Sequence, residues 1–378
     1  MSLPENIASQ IDAALADGKE FALAFLPGED APLWFRGGEA DRKFDISPWL
    51  EPFRNRKTVG ATCAGFGRIA PIEKASTGLG RYIDSVEKII SRCRTRNGKT
   101  VYSRTICGHL PEGLSWGLVA KKYFRQFPDT LRFIYFTPET GGWLGASPEV
   151  LIDCDLNHLR FATMAFAGTR RHQDASDADD KGWDDKNIRE NRFVIDFLES
   201  RLSELGMNVK KSPLRAVTFG PIEHLCCQIE ATPVTSVSRD NLLEKVIDAI
   251  NPTPALCGWP VEEAKRDIAQ YEPHRRGCYG GFVGIATPGR YQAFVNLRSL
   301  RFDGRPYCMY GGGGITGQSV ATDEFEETEM KLSRLIGCLY TKRDALNAKI
   351  QENTPKAYAT VEGNADDKYN SHKPITTA

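Results

Sequence analysis

Acidic side chains at helical spacing are the first feature of this sequence that points to chemistry. In the segment 186–205, Val194, Phe197 and Leu198 share one apolar face, and Glu190 falls on that face one turn before Val194. A carboxylate on a core-facing line is costly unless it is ion-paired or binds a metal. Alternatively, Glu190 lies half exposed at the helix start, where its charge favours the helix dipole. The pattern alone leaves both interpretations open.

A second set of charges follows the last predicted helix, residues 323–346. Glu324, Glu327 and Lys331 run along its flank at spacings of three and four residues, which is typical of a solvated charge ladder. Four glycines, 311–314, precede this helix. A glycine run lets backbone N–H groups approach a carboxylate or phosphate closely near a helix start. The run therefore predicts either an anion nest or a sharp turn.

Four other polar residues are candidates because of their positions. Arg298 stands in an alternating run, 293–300, where its guanidinium either grips a carboxylate in a cleft or faces solvent. Lys99 opens a strand after an Asn-Gly turn signal, and Glu149 follows a Ser-Pro pair. His224 is flanked by apolar residues, which favours a histidine at the edge of the core.

The elements that must position these residues are strands and helices that do not alternate one for one. Helices are predicted at 78–94, 186–205, 260–271 and 323–346, and strands within 21–50, at 99–106, within 130–171, and at 278–287, 290–302 and 306–315. This order favours an α+β fold with antiparallel sheets over a doubly wound parallel sheet. The polar stretch 170–185 predicts a linker or mobile loop, and the residues after 353 predict a disordered tail.

The composition excludes several classes of protein. Of the 378 residues 41% are apolar, and 49 basic residues balance 49 acidic ones, which argues against an electrostatic nucleic-acid binder. No apolar run approaches the roughly 18 residues that span a bilayer, and the N-terminus lacks the features of a secretory signal. Ten scattered cysteines without a CxxC pair favour reduced thiols. We therefore expect a cytoplasmic protein without membrane or nucleic-acid partners. We expect a monomer, because no apolar helix face is left over.

From Tyr82 to Leu339 an ordered set of motifs resembles the chorismate-utilising enzymes: isochorismate, salicylate, anthranilate and aminodeoxychorismate synthases. The motifs are KTVYSR, GASPEVL, AGTRR, KNIRENRFVID, IEHL, NPTPALCGWP, EPHRRGCYGGFVG, NLRS, GGGGI and EFEETEMKL. No single motif is decisive, but their order and spacing are specific. The resemblance implies one α/β domain over residues 1–353. In that fold two pseudo-equivalent halves face their antiparallel sheets toward each other, helices lie outside, and the active site opens between.

The resemblance also implies roles for matched positions. Lys99 is similar to the lysine that activates water, and Glu149 to the general acid that protonates the departing hydroxyl. Glu190 and Glu327, with Glu324, resemble the carboxylates around Mg²⁺, the implied cofactor. The positions similar to groups that hold or surround the substrate, chorismate, are Thr169, His224, Ala255, Tyr279, Arg298, Gly312, Gly314 and Lys331.

Two positions favour isochorismate as the product. Lys99 is present, whereas the anthranilate branch usually has another residue there. Ala255 stands where the other branches have a threonine, and without its hydroxyl the elimination of pyruvate should be poorly assisted. Asn251, Asn187-Ile188 and the four glycines depart from the usual family residues, but none of these changes removes an acid, a base or a metal ligand.

Other functions remain open at this point. A salicylate synthase and an amine-using synthase with a glutaminase partner share most of these motifs. A non-catalytic chorismate-binding protein and an enzyme with a Schiff-base lysine are alternatives from other classes. The resemblance does not distinguish menaquinone from siderophore biosynthesis.

Overall fold

The computed structural model describes residues 3–36, 44–47, 49, 76–172, 182–219 and 222–339. Its helices are α1 (Ile7–Asp17), α2 (Leu79–Arg96), α3 (Trp116–Phe124), α4 (Asp185–Glu204), α5 (Leu242–Ile250), α6 (Val261–Tyr271) and α7 (Ala321–Leu339). Its strands are β1 (Phe21–Phe25), β2 (Leu33–Arg36), β3 (Phe44–Ser47), β4 (Lys99–His109), β5 (Leu131–Thr137), β6 (Gly141–Ser147), β7 (Val150–Asp155), β8 (Arg160–Arg171), β9 (Met207–Lys211), β10 (Arg215–Phe219), β11 (Ile222–Pro233), β12 (Gly258–Trp259), β13 (Phe282–Thr287), β14 (Arg290–Val295), β15 (Ser299–Phe302) and β16 (Pro306–Thr316).

The strands form two antiparallel sheets. The first sheet has the order β12-β4-β16-β15-β6-β5-β1-β2, and the second has the order β10-β11-β8-β7-β14-β13-β3, with β9 also paired to β11. Neighbours along the chain often pair directly, as β5 does with β6 and β13 with β14. The α+β class with antiparallel sheets is therefore confirmed.

Three apolar clusters show how the sheets and helices stack. One cluster lies between the sheets and joins residues of β1 and β5 to residues of β13 and β14. A second packs α1, α3 and α7 on the outside of the first sheet, and a third packs α4 and α5 on the outside of the second. The arrangement is helix, sheet, sheet, helix, as the resemblance implies, and the described residues up to Leu339 belong to one compact unit.

The long helices follow from their local sequence. In α4 the Asp184 side chain accepts a hydrogen bond from the Asn187 N–H, and Gly206, with a φ of 74°, follows the last turn. The predicted helices agree with α2, α4, α6 and α7 within a few residues. The helices α1, α3 and α5 and the strands β9 to β12 were not predicted. The proposed tail, most of the polar stretch 170–185 and the predicted end of the last helix lie outside the described residues.

Two predictions of local structure are wrong. The run 290–302 is not one strand, because β14 belongs to the second sheet and β15 to the first, and the chain crosses between them at Arg298. The four glycines form neither a nest at a helix start nor a turn, because Gly311 to Gly314 are extended residues of β16 paired with β4, in agreement with the strand predicted at 306–315. Pairing with β4 satisfies some of their backbone N–H and C=O groups. It places the glycines within a sheet rather than before a helix.

Candidate active site

A cleft lies between the two sheets, with a volume of about 710 Å³ that includes space open to solvent. Its walls come from β4 and β16 of the first sheet, β8 and β11 of the second, and the inner faces of α4 and α7. Ten of the predicted site residues line it: Glu149, Thr169, Glu190, His224, Ala255, Tyr279, Arg298, Gly312, Gly314 and Lys331. The structure thus brings together motifs from the whole length of the predicted domain.

Glu149 is a buried acid at the end of β6, with 3% of its surface exposed. Its backbone carbonyl accepts a hydrogen bond from the Val295 N–H at 2.9 Å, which ties it to the second sheet. Burial raises the pKa of the Glu149 carboxyl to about 8, although the cations of Lys99, Lys331 and Arg298 oppose the rise. The carboxyl is therefore largely protonated at pH 7 and can donate a proton.

Arg298 and His224 form a fixed pair at the crossover between the sheets. Arg298 has a φ of 50°, a left-handed conformation that costs a non-glycine residue roughly 1–2 kcal/mol and is therefore held by its surroundings. Its carbonyl accepts from the Tyr123 hydroxyl at 2.9 Å, and its guanidinium lies 4.4 Å from the Phe219 ring centre. Burial lowers the pKa of Arg298 to about 10, so it remains a cation at neutral pH.

The imidazole of His224 is neutral and has a defined orientation. Burial and the Arg298 cation hold the pKa of His224 well below its usual value. Its Nε2 lies 2.8 Å from an Arg298 nitrogen that can only donate, so Nε2 accepts. The proton is then on Nδ1, 3.2 Å from the Thr169 hydroxyl. His224 is part of the cleft wall, and its earlier interpretation as an ordinary core-edge residue is insufficient.

The glycines of β16 present an open strand edge to the cleft. On β4, opposite Gly312 and Gly314, the N–H groups of Ser103 and Val101 bond to Glu272 and Cys257, away from β16. These are non-hydrogen-bonded pairs, so the N–H and C=O of Gly312 and Gly314 also point away from β4. The Gly312 carbonyl accordingly accepts from Lys331 Nζ at 2.9 Å. The N–H groups of Gly312 and Gly314 therefore face away from β4, along an extended strand.

Gly314 also leaves room for a buried ion pair. Lys99 Nζ and Glu190 Oε1 lie 2.9 Å apart, and both side chains are almost fully buried. A Cβ at Gly314 would lie 2.1 Å from Glu190 Oε1 and 2.6 Å from Lys99 Cε. Glu190 is therefore a buried carboxylate of α4, and the half-exposed alternative is wrong. Burial raises the pKa of the Glu190 carboxyl, but the cations of Lys99 and Lys186 lower it more. The pKa of Glu190 therefore lies below its usual value.

Glu324 and Glu327 reach the same strand from its other face. A Cβ at Gly313 would lie 3.2 Å from an oxygen of each. Glu327 Oε1 is 2.5 Å from Lys331 Nζ, so the i,i+4 pair exists, but both side chains are mostly buried rather than solvated. Burial and the Glu327 carboxylate raise the pKa of Glu324 to about 7, against the opposing Lys186.

The donor set around Gly313 and Gly314 suits a hard cation. Glu190, Glu324 and Glu327 supply only carboxylate oxygens, and each accepts from a lysine: Lys99, Lys186 and Lys331 respectively. Oε2 of Glu324 is buried without a well-formed hydrogen-bond partner within the described residues. As the side chains stand, no three His, Cys, Asp or Glu residues in the described part of the chain form a ready metal cluster. The chemistry of these oxygens therefore suits a divalent cation, but in this arrangement each carboxylate is bonded to a lysine instead.

Sequence reasoning missed Arg276 and Lys186. Arg276 lines the cleft and is fully buried, and it donates to Glu272, to the Leu256 carbonyl at 2.9 Å and to the Val101 carbonyl at 2.7 Å. It thereby holds the loop that carries Ala255 against β4. Arg276 stands in the EPHRRGCYGGFVG motif and Lys186 opens KNIRENRFVID, so both motifs contained the signal, but neither residue was given a role.

Known proteins match the chain in sequence and in fold. The family profile described as chorismate binding enzyme matches residues 65–340. Isochorismate synthase EntC of Escherichia coli K12 is 29% identical over 248 residues, or 63% of this chain and 61% of that enzyme. The match thus spans about three fifths of the length of that relative.

Solved structures share the fold. MenF, the menaquinone-specific isochorismate synthase of Escherichia coli, has a TM-score of 0.62 at 23% identity, covering 72% of this chain and 65% of its own. Anthranilate synthase component I of Streptococcus pneumoniae TIGR4 has a TM-score of 0.59 at 19% identity, covering 71% of this chain and 60% of its own. No helix in the described ranges is both long and apolar enough to cross a membrane.

Proposed function

The chain belongs to the family of chorismate-binding enzymes, and from this membership we propose that it is an isochorismate synthase acting on chorismate. The observation that carries the proposal is a buried, protonated acid, Glu149, in the same cleft as the Glu190 carboxylate that holds Lys99. The reaction needs an acid, a base and a site for a dianion, and candidates for all three occur here.

The cations of the cleft suit the two carboxylates of chorismate. Arg298 is held rigidly by Tyr123 and Phe219, so its donors are oriented before the substrate arrives. Lys331 and the open edge at Gly312 and Gly314 supply further donors. In our proposal one substrate carboxylate binds to this group of donors.

Glu149 is the proposed general acid. Hydroxide is a poor leaving group, so the departing ring hydroxyl must receive a proton as its bond breaks. Glu149 holds that proton at neutral pH because its site is desolvated. His224 does not compete as the acid, because its ring is neutral and its single N–H, on Nδ1, lies beside the Thr169 hydroxyl.

Lys99 is the proposed base for the attacking water. An amine takes up a proton only in its neutral form, so Lys99 would have to leave its ion pair with Glu190 and release one proton before it activates the water. Glu190, Glu327 and Glu324 are the residues that would hold a magnesium ion, whose positive charge would stabilise the second substrate carboxylate.

Ala255 supports isochorismate as the released product. The methyl side chain lines the cleft and carries no hydroxyl. The nearby Thr253 is buried, and its hydroxyl accepts from the Ala255 N–H at 3.2 Å, so it is engaged with the loop itself. Without a hydroxyl at position 255, elimination of pyruvate lacks the assistance that the other branches have.

Product analysis tests the proposal. We expect the purified chain, incubated with chorismate and Mg²⁺, to form isochorismate without free pyruvate, as measured by chromatography and a lactate dehydrogenase-coupled pyruvate assay. Salicylate with equimolar pyruvate would assign the chain to another branch. Incubation with ammonia added tests the amine-using branch, and aminated products there would also overturn the proposal.

A further inference from the structure

Two cysteines lie opposite each other on neighbouring strands of the first sheet, away from the residues used by the proposed reaction. Cys107 of β4 is the register partner of Cys308 of β16, and the two sulfurs lie 2.7 Å apart. Both are thiols; Cys308 is fully buried, whereas Cys107 is partly exposed. They are 201 residues apart in the sequence, so the fold alone brings them together.

The backbone at this position suits a covalent link. The N–H and C=O of Thr105 bond to Thr77, and the Cys107 N–H bonds to Ser76 Oγ at 3.0 Å, so these groups point away from β16. Cys107 and Cys308 therefore form a non-hydrogen-bonded antiparallel pair. Such pairs have Cα atoms roughly 4.5 Å apart, within the range of about 4.4–6.8 Å that disulfides span. A disulfide can form here without moving either strand.

We propose that Cys107 and Cys308 are a site of reversible oxidation to a cross-strand disulfide, with a low-molecular-weight disulfide as the oxidant. The thiolate of the more accessible Cys107 attacks the oxidant and releases one thiol. The thiolate of Cys308 then attacks the mixed disulfide at Cys107 and releases the second. The two cysteines lose two protons and two electrons, and the oxidant is reduced to two thiols.

When it is formed, the disulfide would join two strands that line the cleft. The strands β4 and β16 also bear Lys99 and Gly314 at their other end. Because the closed loop contains about 200 residues, the disulfide restricts the unfolded chain strongly. This inference is independent of the proposed function, because it concerns neither substrate nor cation.

Thiol counting and peptide mapping test the proposal. We expect oxidised glutathione to remove two thiols from the native 378-residue chain. Mass spectrometry should locate one disulfide between the peptides of Cys107 and Cys308, and dithiothreitol should restore both thiols. The midpoint of thermal unfolding should rise by about 5 °C on oxidation.

Variants separate this pair from the other cysteines. Cys107→Ser and Cys308→Ser should lose no thiol pair and show no rise in the unfolding midpoint, while Cys154→Ser, at a buried position in β7, should behave as the parent chain does. A glutathione adduct that persists on Cys107, a disulfide mapped to any other pair, or an unchanged thiol count would overturn the proposal.

Discussion

At the scale of single residues, the protonation of Glu149 predicts how turnover depends on pH. The acid must carry its proton, and the pKa of Glu149 is raised to about 8 by burial. We expect kcat/KM to be level near pH 7 and to fall tenfold per pH unit above about 8. Glu149→Gln should lower kcat by about 10²–10⁴-fold and remove this alkaline limb from the residual rate. A parent profile that stays level to pH 9.5 would contradict the assignment.

The stability of the same variant serves as its control. The folded-state pKa of Glu149 lies above its usual 4.5, so its stabilising contribution is complete below pH 4.5 and is lost as the pH rises through 8. Glu149→Gln cannot ionise, and we expect it to unfold at pH 8 no more readily than the parent in urea. Lost turnover with a retained fold then identifies a chemical role.

Gly314 predicts a second effect at this scale. In Gly314→Ala the added Cβ would overlap Glu190 Oε1, so the Glu190 carboxylate must move and its pair with Lys99 is lost. We expect kcat/KM to fall by about 10²-fold, with a loss of about 1–3 kcal/mol in the free energy of unfolding. Steady-state kinetics and urea titration measure both.

A matched glycine provides the comparison. Gly337 lies in α7 with no atom near its would-be Cβ, so Gly337→Ala should keep full activity and gain about 0.5–1 kcal/mol. Equal activity of the two variants would show that the space beside Gly314 is unimportant.

Individual site residues differed in how far the sequence could predict them. Glu190 was conspicuous, because a carboxylate on the core-facing stripe of α4 demands a partner. The role of Arg298 was ambiguous, because its left-handed backbone and its contact with His224 depend on segments that meet only in the fold. Lys331 pairs with Glu327 at the i,i+4 spacing that the sequence shows, whereas no local pattern pairs Lys99 with Glu190 or Lys186 with Glu324.

At the scale of secondary structure, a β-bulge positions α4 and with it Glu190. The pairing of β8 with β11 shifts register between His224 and Leu225, beside Gly168. Asn191, which follows Glu190, is fully buried, and its Nδ2 donates to the carbonyls of Ala165 and Leu225. The Asn191 amide thus donates hydrogen bonds to backbone carbonyls near the bulge and holds α4 against the second sheet.

Removing that amide should therefore affect both stability and turnover. We expect Asn191→Ala to lose about 2 kcal/mol in the free energy of unfolding, because buried carbonyls lose their donor, and to lower kcat/KM by displacing Glu190. Urea denaturation and steady-state kinetics test this. Asn208→Ala, at an exposed site of β9, should change neither, and a comparable loss there would refute the role of the bulge.

Elements were predicted where periodicity or turn residues were strong. The stripe of α4 and its stop at Gly206 sufficed for that helix. The split between β14 and β15 was missed because alternation continues through Arg298, although the chain changes sheets there. The strand predicted at 306–315 is confirmed as β16, whereas the nest or turn assigned to its glycines was wrong, because a glycine run has no local signature that distinguishes a strand from a turn.

At the scale of the whole molecule, the core predicts where the chain can be shortened. Leu332 and Leu335 of α7 are buried in the cluster outside the first sheet, whereas the match to the family ends at residue 340. We expect a chain of residues 1–353 to keep its activity and unfolding midpoint, and a chain of residues 1–329 to lose its fold. Circular dichroism melts and turnover measurements distinguish them. If the chain of residues 1–353 were inactive, the catalytic domain would have to extend beyond residue 353.

The overall architecture was predicted through the ordered motifs rather than through the elements. Strand and helix order favoured antiparallel sheets over a doubly wound sheet, but it did not determine which strands pair. The facing sheets followed from the resemblance, and the distribution of the three apolar clusters agrees with it.

The crossover at Arg298 has a consequence for how a bound anion would act mechanically. The guanidinium is anchored where the polypeptide leaves one layer for the other, and its neighbours Tyr123 and His224 belong to opposite sides of that junction. An anion bound to Arg298 would link the two layers, so sliding of one layer over the other would break its contacts. Occupancy by a dianion should therefore stiffen the sandwich as a unit, beyond the walls that touch it.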